Sequence, residues 1–266
     1  MKIGVFDSGI GGLSVLSEMV KQNEDNEYVY LADLASCPFG SKNKQELRNI
    51  FDDAIKFLTK QKADIVICAC GTLSSECADK IDLSGTENDI KIMGIIDGIE
   101  ENIYELGSQN ILLLATQATI SKRLFENKLR QVGNVNVEGV ACSEFVYILE
   151  NDITDKEHIQ RIVDKYISEY SNIDTVILGC THYPFLLEYI KNSLKKYNAN
   201  GMKTNIISPG ESLVKSKEYL EKVEKYTIKT HKDIEIYTTK ESDVLNKVSK
   251  QLFNVIPITI NGDEKQ

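Results

Sequence analysis

Short runs of β-branched and other apolar residues alternate along the chain with longer segments whose apolar residues recur every three or four positions. The short runs predict strands, and the amphipathic segments between them predict helices. This alternation is typical of mostly parallel sheets covered by helices on both faces, so the predicted fold class is α/β. Eight runs predict strands: Lys2–Phe6, Glu27–Ala32, Asp64–Cys68, Lys91–Ile96, Asn110–Leu114, Asn136–Ala141, Asp174–Leu178 and Thr204–Ile207.

The predicted strands also repeat at a distance of about 110 residues. Asp7 follows the first strand and lies 109 positions before Thr116, which follows the fifth, and Cys70 lies 110 positions before Cys180. So long a period predicts two similar α/β domains related by a pseudo-twofold axis, rather than a solenoid. Ligands of parallel sheets bind beyond the carboxyl ends of the strands, so the active site is expected in the cleft between the domains.

The chain after Pro209 has no counterpart in this repeat. Its pattern predicts a helix, a strand and an amphipathic segment: Glu211–Glu224, Ile234–Tyr237 and Val244–Asn254. We expect this segment to pack back on one of the domains. The predicted domains are therefore residues 1–96 together with 209–266, and residues 97–208.

The composition fits a soluble globular protein, with 42% hydrophobic residues, 27% charged residues and only 4 prolines in 266 residues. A net charge of -9 argues against a partner with a phosphate backbone, so no nucleic acid is expected. The sequence contains no apolar segment of the length that a signal peptide or a membrane span requires, so we expect no membrane partner and a cytoplasmic location.

Two of the six cysteines lie where chemistry is expected. Cys70 in ICACGTLSS and Cys180 in VILGCTHYP each follow a predicted strand directly and precede a helix. The positive end of a helix dipole favours the thiolate, so either thiol is placed to act as a base or a nucleophile. A buried, inert thiol is the alternative at each position, and the equivalent placement of the two favours the chemical role. Cys37 and Cys142 lie in strand-end loops and are further candidates to line a cleft, whereas Cys68 is expected to face the core.

Two other polar residues lie close to these thiols in the predicted fold. His182 follows Cys180 by two positions, and its imidazole can orient a thiol or relay its proton. Asp7 ends the first strand and can serve the other thiol in the same way, or act as a helix N-cap. A metal site built from the cysteines and His182 is the competing use of sulfur, but the usual ligand spacing is missing, so no metal is predicted.

The glycine-rich stretch from Ser8 to Gly12 invites comparison with a dinucleotide-binding loop, with Asp33 as the ribose ligand. The fingerprint fails at Ser14, where a third Gly or Ala is required. Because glycines that open a helix can bind any anion, we interpret the loop as a carboxylate-sized site. A dinucleotide-dependent dehydrogenase remains an alternative.

Two opposed thiols suit one kind of reaction. Inversion of a stereocentre by proton transfer needs a base on one face of the carbon and an acid on the other, with their roles exchanged in the reverse direction. A pseudo-twofold cleft with one cysteine in each half supplies that arrangement. Racemisation of an amino acid is therefore the predicted reaction.

Six stretches between residues 6 and 184 resemble the glutamate racemase family, within the wider aspartate/glutamate racemase group. They are FDSGIGGLSV (Phe6–Val15), CPFGSK (Cys37–Lys42), CACGTLSS (Cys68–Ser75), ATQATIS (Ala115–Ser121), ACSEFV (Ala141–Val146) and LGCTHYP (Leu178–Pro184). The resemblance implies a cofactor-independent, two-thiol enzyme that makes D-glutamate for peptidoglycan. Members of the family are often homodimers, so a homodimer is one expected assembly.

The resemblance also implies roles for individual residues. Cys70 and Cys180 would be the acid/base thiols, assisted by Asp7 and His182, with no metal and no cofactor. Residues expected to bind the substrate are Asp7, Ser8, Phe39, Gly40, Gly71, Thr72, Thr116, Thr119, Thr181 and His182.

Three positions depart from the family's pattern. Gly71 stands where the family has Asn, Phe39 where it has Tyr, and Ser208-Pro209 where it has Asp-Ser. An Asn side chain can bind the substrate's polar groups and Gly cannot, so a racemase for aspartate or another amino acid is a second hypothesis. A catalytically weak, ligand-binding homologue is a third, against which the presence of both thiols argues.

Overall fold

The computed structural model describes residues 1–82, 90–199, 203–223 and 233–260. Ten strands lie in this part of the chain: β1 (Lys2–Asp7), β2 (Glu27–Ala32), β3 (Ile65–Cys68), β4 (Lys91–Gly94), β5 (Asn110–Ala115), β6 (Asn136–Ala141), β7 (Thr175–Leu178), β8 (Asn205–Ile207), β9 (Ile234–Thr238) and β10 (Ile258–Thr259).

Helices connect these strands. The α-helices are α1 (Gly12–Gln22), α2 (Lys44–Lys60), α3 (Gly71–Glu76), α4 (Ala78–Asp82), α5 (Ile99–Leu106), α6 (Gln117–Lys122), α7 (Leu124–Leu129), α8 (Ser143–Glu150), α9 (Lys156–Ile167), α10 (Leu187–Tyr197), α11 (Pro209–Lys215), α12 (Lys217–Val223) and α13 (Asp243–Phe253). Two short 3-10 helices span Phe39–Ser41 and Tyr183–Leu186.

The strands form two parallel sheets, which confirms the α/β fold class. The large sheet has the order β10-β9-β2-β1-β3-β4, and the small sheet has the order β6-β5-β7-β8. The run β2-β1-β3-β4 repeats as β6-β5-β7-β8, and every pairing in both sheets is parallel. The predicted repeat is therefore present in the strand order. We call each sheet with its packed helices the large-sheet unit and the small-sheet unit.

All eight predicted strands are confirmed, and most of their ends agree within one residue. The largest difference is at Lys91–Ile96, because β4 already ends at Gly94. The chain turns there, since the N–H of Asp97 donates to the Gly94 carbonyl and the Asp97 carboxylate accepts from the Gly94 N–H. A local side-chain contact thus ends a strand that hydrophobicity alone would continue.

The segment after Pro209 returns to the large sheet, where β9 pairs with β2. The prediction of one helix over Glu211–Glu224 is wrong, because the chain forms α11 and α12 with a break at Ser216. The Ser216 hydroxyl donates to the Leu213 carbonyl and accepts from the Tyr219 N–H, so it closes one helix and caps the next. Glu224 lies outside the described residues, and the predicted domain boundaries stay a prediction.

One hydrophobic cluster joins the two sheets. It contains Val5 and Tyr30 from the large sheet, Leu113 and Ile177 from the small sheet, and Leu13 from α1, all fully buried. Separate clusters fill the outer face of each sheet, with α2 on the large sheet and α8 to α10 on the small sheet. The shared core holds the sheets side by side and fixes the strand ends of one unit against those of the other. Within the described residues, none of the helices has the length and hydrophobicity that crossing a bilayer requires.

Candidate active site

The carboxyl ends of β1, β3, β5 and β7 open into one cavity of about 470 Å³. The structure brings together at this cavity every residue that the family resemblance suggested for catalysis or substrate binding. These are Asp7, Ser8, Phe39, Gly40, Cys70, Gly71, Thr72, Thr116, Thr119, Cys180, Thr181 and His182. Residues from both sheets line it, so the cavity lies between the two units, where the sequence predicted the active site.

The two candidate thiols occupy equivalent places in the two units. Cys70 caps the start of α3 just after β3, and Cys180 follows β7 by two residues. Both are buried, with 7% and 8% of their surface exposed, and both line the cavity. One sulfur therefore reaches the cavity from the large-sheet unit and the other from the small-sheet unit.

Cys70 lies in an environment that keeps its thiol protonated. Burial raises its pKa well above the usual range, and the carboxylate of Asp7 raises it further. Burial and Asp7 thus work against the thiolate that the helix start was expected to favour, and α3 is only 6 residues long. Asp7 is itself buried, which raises its pKa, and it accepts hydrogen bonds from the Gly9 N–H and the Thr181 hydroxyl, both at 3.1 Å.

Cys180 has a different electrostatic environment. Its Sγ lies 3.7 Å from Nδ1 of His182, and Nε2 of His182 lies 2.7 Å from a carboxylate oxygen of Glu150. Burial alone would lower the pKa of His182, but its contacts with Cys180 and Glu150 raise that pKa well above the usual range. Burial works against ionised Glu150 as well, yet the hydrogen bond from His182 leaves the pKa of Glu150 lowered. The two sulfurs therefore lie in different electrostatic surroundings, Cys180 beside the His182–Glu150 pair and Cys70 near Asp7.

The sequence analysis missed Glu150, which ends α8. No local pattern in the sequence marks it; in the structure Glu150 lies one helical turn after Val146, and both line the cavity. Gln117, Ser143, Tyr147 and Asn151 also line the cavity and were not predicted.

The glycine loop does hold a carboxylate, but it is the chain's own Glu150. The Ile10 N–H donates to a Glu150 carboxylate oxygen at 3.1 Å. A Cβ on Gly9 would collide with the same carboxylate, and a Cβ on Gly11 would collide with His182. The two units therefore pack closely at these glycines, and the Ile10 N–H is occupied by Glu150 instead of being open to a free anion.

Asp33, which would bind the ribose of a dinucleotide, has a partner within the protein. Asp33 accepts a hydrogen bond from the Thr239 hydroxyl at 2.8 Å, and it does not line the cavity. This contact joins the end of β2 to the residue after β9. The role of Asp33 is therefore structural.

The three departures from the family's pattern differ in their consequences. Gly71 lies where the two thiol-bearing loops meet, and a Cβ there would lie 3.1 Å from the Gly179 carbonyl oxygen. Phe39 is buried and lines the cavity. Ser208 caps α11 by accepting from the Glu211 N–H at 3.2 Å and lies outside the cavity, so this third departure affects a helix end.

The remaining cysteines lie outside this arrangement or have no assigned role in it. Cys68 is fully buried in the core, as predicted, and Cys142 is also buried in the core rather than lining the cavity. Cys37 lines the cavity, and burial raises the pKa of its thiol to about 12. Among the residues that the structure describes, no group of three or more His, Cys, Asp or Glu side chains is placed to hold a metal ion.

Comparisons with known proteins agree with this geometry. The family model of the Asp/Glu/hydantoin racemases matches residues 3–216. Glutamate racemase of Campylobacter jejuni is 33% identical over 96% of this chain and 99% of its own length. The enzyme of Clostridium perfringens is 31% identical over 95% of this chain and 96% of its own. A crystal structure of glutamate racemase from Campylobacter jejuni superposes with a TM-score of 0.80 at 31% identity, over 96% of this chain and 99% of that one. The chain belongs to the Asp/Glu/hydantoin racemase family.

Proposed function

We propose that this protein is a cofactor-independent glutamate racemase in which Cys70 and Cys180 exchange a proton with opposite faces of the substrate's α-carbon. One observation carries the proposal. Two cysteines at equivalent strand ends of a repeated α/β unit line the same cavity, one from each unit. The identity of the family members named above supports glutamate as the substrate.

The contacts of the two thiols suggest how they share the reaction. Cys180 lies beside His182, which can take up its proton, and burial raises the pKa of the Cys70 thiol, so in one direction we assign the base to Cys180 and the acid to Cys70. The Cys180 thiolate removes the α-proton, so the C–H bond breaks and its electron pair is delocalised into the α-carboxylate. The Cys70 thiol then gives its proton to the opposite face of the carbanion. The protonation states are now exchanged, and the enzyme is ready for the opposite enantiomer or is reset by exchange with water.

The substrate's two carboxylates require donors inside the cavity. Of the described residues that line it, none is Lys or Arg. Hydroxyl groups of Ser8, Thr72 and Thr119, together with backbone N–H groups at the starts of the short helices, are among the donors available there. Neutral donors held in place by the fold can stabilise the developing enolate without neutralising the catalytic thiolate.

The proposal is tested by incubating the protein with L-glutamate, D-glutamate and L-aspartate without any added cofactor and following optical activity by circular dichroism. We expect both glutamate enantiomers to racemise and aspartate to react far more slowly. Activity on aspartate alone would keep the chemistry and change the substrate. No activity on any amino acid, from protein whose far-ultraviolet spectrum shows it folded, would favour a ligand-binding homologue.

The cellular role follows from this reaction. D-Glutamate is a component of peptidoglycan, so we place the enzyme in cell-wall biogenesis and in the cytoplasm, where its substrate is made. We also expect a homodimer, as in many members of the family. Sedimentation equilibrium tests this assembly directly.

A further inference from the structure

In the loop after Cys180, one backbone carbonyl accepts its hydrogen bond from the large-sheet unit. After Cys180 the chain forms 3-10 turns, in which the Tyr183 N–H donates to the Cys180 carbonyl and the Phe185 N–H donates to the His182 carbonyl, both at 3.1 Å. A third turn of the same kind, between these two, would need the N–H of residue 184 to donate to the Thr181 carbonyl. Residue 184 is proline, which has no N–H, so this bond cannot form within the loop.

Ser14 supplies the missing donor. It lies in the first turn of α1, in the large-sheet unit, and its hydroxyl donates to the Thr181 carbonyl at 2.7 Å. The side chain of Thr181 is held by the same unit, because its hydroxyl donates to Asp7 at 3.1 Å. The backbone carbonyl and the hydroxyl of Thr181 are therefore both bound to the unit that carries the opposite thiol.

The position of Thr181 gives these contacts a role. Thr181 stands between Cys180 and His182 in the chain, so a shift of its backbone moves both residues, whose Sγ and Nδ1 atoms lie 3.7 Å apart. We propose that Ser14 is a positioning residue, which aligns the Cys180–His182 pair through the Thr181 carbonyl whenever the two units are packed together. This inference rests on the proposed racemase function.

The first test removes the donor. Ser14→Ala leaves the Thr181 carbonyl without its partner, and we expect kcat for glutamate racemisation to fall about five- to tenfold with little change in KM. Ser14→Thr keeps a hydroxyl at the same position and should retain most of the activity. Ser216→Ala is the matched control, because it removes a serine hydroxyl that donates to a buried carbonyl far from the cavity.

Isotope effects separate positioning from general damage. With α-deuterated D- and L-glutamate, the primary isotope effect on kcat/KM reports how far each thiol's proton abstraction limits the rate. If Ser14→Ala impairs Cys180 in particular, the isotope effect rises for the enantiomer that Cys180 deprotonates, because removal of its α-proton then limits the rate more strongly. For the other enantiomer the isotope effect falls, because reprotonation by Cys180 becomes the slower step. A loss of activity with both isotope effects unchanged would overturn the proposal, as would wild-type kinetics.

A second variant supplies the missing bond from within the loop. In Ser14→Ala/Pro184→Ala, the new N–H at position 184 can donate to the Thr181 carbonyl, and we expect kcat to recover toward the wild-type value. Equal losses in the single and double variants would contradict the inference. If the wild-type protein racemises no glutamate, the proposed function fails instead, so the two failures are distinguishable.

Discussion

At the scale of single residues, the two thiols are related by the repeat and yet lie in different surroundings. Cys70 is buried beside a carboxylate, whereas Cys180 lies next to an imidazole that is itself held by a carboxylate. The difference comes from the His182–Glu150 pair, which has no counterpart beside Cys70 among the contacts that the structure describes. Glu150 is therefore the residue whose removal should change the chemistry of one thiol only.

We expect Glu150→Gln to lower the pKa of His182, because the carboxylate that stabilises the imidazolium is lost. His182 then loses its proton at a lower pH, so the alkaline limb of the kcat/KM profile should move to lower pH. We expect kcat to fall about tenfold or more. Glu144→Gln is the control on the same helix, since Glu144 is paired at the surface with Lys165. An unmoved alkaline limb in Glu150→Gln would contradict this assignment.

Gly71 offers a second test at the same scale. A Cβ in Gly71→Ala would press on the Gly179 carbonyl and shift the loop that carries Cys180. We expect kcat/KM to fall about tenfold, while stability stays near the wild-type value because Ala is the better helix former. In Gly94→Ala the new Cβ makes only contacts of 3.4 Å or longer, so this control should keep its activity. Full activity in Gly71→Ala would show that the loops are not tightly packed there.

The sequence predicted the site residues that lie beside strand ends and missed those defined by tertiary contacts. Cys70, Cys180 and Asp7 could be found because a strand's carboxyl end points at the ligand in any parallel sheet. Glu150 is 32 positions from His182, and Ser14 is 167 positions from Thr181. No local pattern marks such pairs. The burial that raises the pKa of Cys70 also depends on tertiary packing and cannot be read from a helix start.

At the scale of elements, a buried carboxylate ties together three helices. Glu76 ends α3, and its side chain is only 4% exposed. It is paired with Lys44 of α2 at 3.6 Å in the same unit and with Lys122 of α6 in the other unit. Since α3 and α6 both begin at the cavity, the pair with Lys122 joins the far ends of two helices that shape the site.

We expect Lys122→Met to destabilise the protein by about 1–3 kcal/mol and to raise KM, because a buried charge loses its partner in the other unit. Lys44→Met removes the weaker partner within one unit, so it should lower stability less and leave KM unchanged. Urea denaturation and steady-state kinetics at low salt measure both effects. Equal KM values in the two variants would show that the pair with Lys122 does not influence the cavity.

The strands were more predictable than the ends of the later helices. Continuous β-branched runs identify buried parallel strands without tertiary information, so all eight predicted runs are present. The break between α11 and α12 depends on the Ser216 hydroxyl, and serine is common within helices as well as at their ends. β10 was missed because it has only 2 residues, too few for a pattern.

At the scale of the whole molecule, the repeat divides the strands into two sheets, whereas the hydrophobic core extends across both of them. The strand order repeats in two sheets, but one cluster of buried residues runs through both. Sequence periodicity shows the repeated strand order. It does not show the shared cluster, because side chains from distant segments meet only in the folded core. The two units are therefore similar in architecture and joined in packing.

The shared core predicts cooperative unfolding. Because the sheets share one cluster, the loss of either unit exposes the core of the other, and we expect a single transition in urea. The protein has 12 tyrosines and no tryptophan, so tyrosine fluorescence reports tertiary structure while far-ultraviolet circular dichroism reports helix content. Coincident curves are the expected result. Two separate transitions would show that the units are stable independently.

The two-thiol mechanism is tested most directly by α-proton exchange in deuterated water. Wild-type protein, Cys70→Ser and Cys180→Ser are incubated separately with L- and D-glutamate, with nuclear magnetic resonance following the α-proton and circular dichroism following optical activity. Cys37→Ser is the control, as it alters a cavity thiol whose pKa is about 12 and which has no place in the proton path. We predict that the wild type and the control racemise glutamate, and that either catalytic substitution lowers racemisation about a hundredfold or more. Racemisation that survives the loss of either thiol would contradict the account.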